Sequence, residues 1–168
     1  LGASLLATRG FAAPEVEHAY SRARALCQRL GDNREIGPVL FGLWGFYEVR
    51  GDLQIARELA EQLLTLAQRQ HDPALLLQGH RALGDTLCWL GEFVPARAHL
   101  EQGIALYHPQ QHRTHALLYG QDPGMGCRAY AALVLWILGY PDQALRRSQE
   151  ALALAHERPA LAALRDTC

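Results

Sequence analysis

Apolar residues recur along this chain at intervals of three and four, the spacing that lines one face of an α-helix, and short turns rich in glycine, proline and aspartate interrupt them. The pattern predicts helices near residues 1–9, 13–31, 34–50, 53–70, 73–90, 93–107, 123–138 and 142–157. Asp72-Pro73 and Asp122-Pro123 each set an N-cap carboxylate before a proline at the first helical position, where the missing N–H costs nothing. Asp52 is placed to cap the helix after Gly51. Gly10, Gly51, Gly91 and Gly139 sit where a helix C-terminus favours a left-handed residue. No alternating strand pattern competes, so the chain is predicted to be all-α.

The punctuation repeats. Arg50–Ala56, Leu90–Ala96 and Leu138–Ala144 each place a glycine five residues before an alanine between two helical runs, and a looser copy lies at Arg9–Pro14. Successive turn glycines are 41, 40 and 48 residues apart, a period that marks a stacked array of helical hairpins. The expected hairpins are 1–31, 34–70, 73–107 and 123–157, with an irregular connection at 108–122.

Aligned on the turn glycines, the hairpins resemble the tetratricopeptide repeat. The match runs through Leu43, Tyr47, Gly51 and Ala56, then Leu83, Gly84, Leu87, Gly91 and Ala96, then Ala132, Leu135, Gly139, Ala144 and Ala151. Trp44 stands where that family has a small residue, and Ser148 where it has a large apolar one. The closing prolines arrive late, at Pro73, Pro109 and Pro159. A period near 40 therefore implies a longer-helix variant: a single domain folded as a right-handed αα-hairpin solenoid.

A narrower resemblance rests on Ala13–Glu17, Gln111–Ala116, Tyr119–Gly124 and Leu138–Leu145. These segments look like the C-terminal repeat region of bacterial signalling proteins that join a class III adenylate or guanylate cyclase domain to a STAND-type ATPase. The resemblance implies a sensing or partner-binding arm that regulates the upstream domains, and none of that family's catalytic residues falls in this stretch. Leu1–Thr8 reads as the second half of a helix and Ala160–Arg165 as the start of another. The chain is thus expected to be an interior slice of a larger protein, with stacking faces at its ends through which it could oligomerise.

Composition narrows the chemistry. A formal charge of −1 over 168 residues offers no field for nucleic acid or anionic lipid, and no apolar run reaches the roughly 18–20 residues of a membrane span. Cys27, Cys88, Cys127 and Cys168 lie far apart, which suits free thiols in the cytoplasm better than a disulfide framework. All 16 basic residues are arginine, which removes P-loop, Schiff-base and Ser-Lys chemistry from this chain. Ser4, Ser21 and Ser148 fall on predicted helices outside any nucleophile-elbow setting.

Two functional readings remain. In the first the chain is a non-catalytic scaffold, without cofactor or metal, for a protein, a peptide or a small effector. By resemblance to tetratricopeptide arrays, whose first helices line the groove, its binding residues are Phe41 and Glu48, then Gln78, Arg81, Asp85 and Trp89, then Trp136. The four middle residues lie at i, i+3, i+7 and i+11 and share one helix face. They form a binding face, or else Arg81 and Asp85 are a surface pair and Trp89 packs on the next hairpin. The alternative is a metal-binding module or metal-dependent enzyme using the His108–Cys127 segment, where His112 and His115 stand one helical turn apart. A structural role for those histidines, in a short helix at 112–119, is the plainer account.

Overall fold

The computed structural model describes residues 10–30, 36–110, 119 and 122–156. They form seven helices: α1 (Pro14–Leu30), α2 (Ile36–Arg50), α3 (Leu53–Gln70), α4 (Pro73–Trp89), α5 (Phe93–Leu106), α6 (Pro123–Ile137) and α7 (Pro141–His156). No strand occurs among the described residues. Each helix agrees with its expected span to within a residue or two, while the helix expected at 1–9 and nearly all of the 112–119 segment lie outside the described residues.

The recurring glycine–alanine signature has one physical basis. Gly51, Gly91 and Gly139 adopt φ values of 81°, 80° and 85°, a region that costs other residues about 1–2 kcal/mol. In all three turns the glycine N–H donates to the carbonyl three residues back, and the next N–H donates to the carbonyl five residues back: Asp52 to Tyr47, Glu92 to Leu87 and Tyr140 to Leu135, each at 2.9 Å. This closure satisfies the last carbonyls of α2, α4 and α6. The alanine five residues after each glycine accepts no bulk: Ala56, Ala96 and Ala144 are buried in the first turn or so of the following helix.

Two caps behave as expected and one does not. The Asp72 side chain accepts from the N–H groups of Ala74 and Leu75, and that of Asp122 from Met125. Asp52 makes no side-chain cap. Its carboxylate turns back to Arg50, 3.5 Å away, because Gly51 already directs the entering chain. The turn between α3 and α4 is closed by His71, left-handed at φ 52°, where glycine would be expected.

Consecutive helices pack against one another, and contacts also link α2 to α4 and α4 to α6. Helix α4 therefore has four neighbours, α2, α3, α5 and α6. Every residue from Leu77 to Cys88 is buried as a result. Side-chain sizes are traded between hairpins to keep the crossings close. A Cβ on Gly84 would sit 2.7 Å from the Leu100 side chain, whereas at the positions 40 residues earlier, the buried Trp44 and Ala60, the large residue stands on the first helix and the small one on the second.

Candidate functional site

The row α2–α4–α6 gathers charge and aromatic surface in one place. Phe41, Trp44 and Glu48 of α2, Arg81 and Asp85 of α4 and Tyr130 of α6 line a cavity of about 150 Å³. It shares Glu48, Val49 and Tyr130 with a more open cleft of about 420 Å³ beside Trp89. The tryptophan at the end of α4 is 56% exposed. Its indole N–H points to the Tyr130 hydroxyl at 3.3 Å, and the two rings meet edge to face with centroids 6.2 Å apart.

The centre of the cavity is an ion pair removed from water. Arg81 Nε lies 3.5 Å from Asp85 Oδ2, with the two side chains only 4% and 1% exposed. The guanidinium carbon stands 5.6 Å from the centroid of the Phe41 ring, and the group is packed close to Gly126, where a Cβ would come within 2.6 Å of Arg81 Nε. Phe41 is itself held by Trp44, at 4.9 Å between centroids, and by Tyr119 at 5.0 Å. The Trp44 indole N–H donates to Thr86 Oγ1 at 2.9 Å, and Thr86 donates to the Ala82 carbonyl at 2.8 Å. The walls are therefore fixed by packing and hydrogen bonds.

The cavity is over-supplied with acid. Burial pushes the Asp85 carboxyl well above the usual carboxylate range; Arg81 pulls it back and Glu48 adds to the rise. Burial raises Glu48 too, against the opposing pull of Arg81 and the Trp89 N–H. Asp85 Oδ1 and Glu48 Oε1 are buried and accept no hydrogen bond. Buried polar groups are rarely left so. The same acids, after burial itself, help push the Tyr130 phenol up to about 12 and the Cys88 thiol up to about 11.

The candidate residues fall into three environments. Phe41, Glu48, Arg81 and Asp85 line the cavity, and Glu48 and Trp89 line the cleft. Gln78 is fully buried in α4 and borders neither. Trp136 is 66% exposed on α6 and also stands apart from both. The reading of Arg81 and Asp85 as a surface pair is corrected here: α2 and α6 cover the face of α4 that carries them. Trp44 and Tyr130 were not selected from sequence, and their packing across hairpins makes them part of the site.

The histidine segment offers less. His112 and His115 lie outside the described residues, and His108 is exposed. Asp122 is occupied by the Met125 N–H and by the Tyr107 hydroxyl at 3.1 Å. Cys127 is buried with its thiol pushed up to about 12, so it is protonated at neutral pH and neither a ready ligand nor a nucleophile. Among the described residues no group of three or more His, Cys, Asp or Glu side chains could hold a metal ion, and no helix is long and apolar enough to cross a membrane.

Comparisons with protein-family models and with curated protein sequences find no match to the chain.

Proposed function

We propose that the chain is a non-catalytic interaction module, a tetratricopeptide-like αα-hairpin solenoid that uses its α2–α4–α6 row to bind a protein or peptide in the cytoplasm. The three identical turn closures and the row of first helices support the solenoid reading. The observation that carries the function is the cavity between those helices, with a rigid aromatic wall, buried carboxylate oxygens without donors and the exposed Trp89 at its mouth. Aromatic residues at the rim of a preformed pocket are the side chains that anchor interfaces. In a larger protein the module would serve as the regulatory arm of a STAND-type ATPase or cyclase, the role that the sequence resemblance suggests.

Selection from a displayed random-peptide library tests this reading. Trp89→Ala should abolish capture of the selected peptides while the fold is kept with only a modest drop in melting temperature, since the side chain is 56% exposed and meets the Tyr130 ring only edge to face. Capture of the same peptides by both proteins refutes the groove.

A second reading concerns self-association. Leu133, Trp136 and Ile137 on α6 and Leu145 and Leu152 on α7 leave exposed apolar surface, the kind of surface that contacts other proteins. Sedimentation at several concentrations, with and without Trp136→Glu, reads it directly.

A further inference from the structure

Resting on that groove reading, we infer that the cavity between α2, α4 and α6 receives the cationic head of an arginine or lysine side chain carried by a partner segment. Three independent features point to this occupant. The first is charge: Glu48 and Asp85 line the cavity with one guanidinium, Arg81, so among the described residues that line it two carboxyl groups share one counter-ion. The second is hydrogen bonding. Asp85, 1% exposed, and Glu48 both line the cavity, and each has a buried carboxylate oxygen that accepts no hydrogen bond. Ionised carboxylates only accept, so the ligand that completes them must donate, and a guanidinium or ammonium donates while neutralising the surplus charge.

The third is the wall. Phe41, Trp44 and Tyr130 line the cavity with aromatic rings, the groups that attract cations, and Arg81 already lies against the Phe41 ring. An anionic ligand is disfavoured because Arg81, the one cation among the described residues lining the cavity, is engaged with Asp85. Shape selects a chain-borne cation over a free one. The small inner cavity opens through Glu48, Val49 and Tyr130 into the larger cleft under Trp89, so a side chain can reach inward while its backbone rests on the tryptophan. A wider cleft of about 480 Å³ between α2 and α3 lacks these features. There Glu61 is already paired with Arg57, and Gln62 with Arg24.

Burial raises both acids, so each holds a proton to higher pH than an exposed carboxyl does. Among the described residues, the charged and titratable groups at the site are Glu48 from α2, Arg81 and Asp85 from α4 and Tyr130 from α6, with Arg50 lining the outer cleft and the Cys88 and Cys127 thiols near Asp85; the phenol and both thiols are neutral at physiological pH. A bound cation favours ionised carboxylates. Binding should therefore release protons and tighten as pH rises through the raised range of the two acids.

Isothermal titration of the full chain with acetyl-Gly-Arg-Gly-amide, its citrulline analogue and agmatine tests the inference. The arginine peptide should bind at least about tenfold tighter than the citrulline peptide. Glu48→Gln, at a half-buried site, should erase most of that difference with an unchanged melt, and Asp85→Asn should do the same where folding is retained. Trp89→Ala should weaken the peptide more than agmatine. Equal binding of arginine and citrulline peptides, or full arginine preference in Glu48→Gln, overturns the cation site. Agmatine binding with no peptide binding overturns the partner-borne source. The groove reading fails separately: library selection of Trp89-dependent peptides without arginine or lysine leaves the groove standing and refutes only the cation.

Discussion

Replacing Arg81 by methionine keeps much of the side chain's bulk and removes its charge, leaving Asp85 buried beside Glu48. Taking one partner from a buried pair costs about 3–5 kcal/mol, against about 0–1 for an exposed pair. Arg81 pulls the burial-raised Asp85 carboxyl down, so without it Asp85 keeps its proton to higher pH than in the wild type, which offsets the upper end of that range. The expected loss is thus about 3 kcal/mol at pH 7 and smaller at pH 5, where both proteins hold the proton more fully. In a domain of this size that corresponds to a melting temperature lower by roughly 6–12 °C at neutral pH. Urea unfolding at both pH values measures it. Arg57→Met, which breaks the more exposed contacts with Glu61 and Glu92 at 3.1 and 2.8 Å, should cost under about 1 kcal/mol at either pH. A loss for Arg81→Met no larger than for Arg57→Met, or one independent of pH, would refute the buried-pair account.

His80 and His99 place their Nδ1 atoms 3.0 Å apart across the α4–α5 hairpin, and burial with the neighbouring ring lowers His80 from 6.5 to about 4. Because the unfolded chain binds that proton more tightly, the contribution is full above about pH 6.5 and is lost toward pH 4. His80→Gln should flatten the stability profile between those limits, and an unchanged slope on urea unfolding would count against the pair. Gly79→Ala would put a Cβ 2.9 Å from the backbone Cα of Leu64. Since that atom cannot rotate away, we expect a net loss of roughly 1–2 kcal/mol by thermal melt despite the gain in helix propensity. Ala96→Leu, at a fully buried crossing, should cost about 1–3 kcal/mol, and wild-type stability would contradict the packing role of the glycine–alanine signature.

Local chemistry made the helices legible. A left-handed glycine, an Asp-Pro start and three-to-four apolar spacing act within a few residues of one another, so the sequence alone determined where the helices run and where the turns at Gly51, Gly91 and Gly139 close. The same locality explains the misjudged Asp52: capping propensity marks a position, and only the turn geometry reveals that its side chain is spent on Arg50. Burial of α4 was not legible. Arg81 and Asp85 at i and i+4 look the same in sequence whether water or another helix lies beyond them. The difference is made by Phe41 and Gly126, residues 40 positions before and 45 after Arg81. Tyr130 escaped for a related reason. It lies six residues from Trp136, about 120° around the same helix, and only the packing of α6 on α4 decides which side meets Trp89. Sequence determined the elements because their causes are short-range; tertiary structure decided the cavity, its surplus charge and its aromatic wall, because each depends on which helices become neighbours.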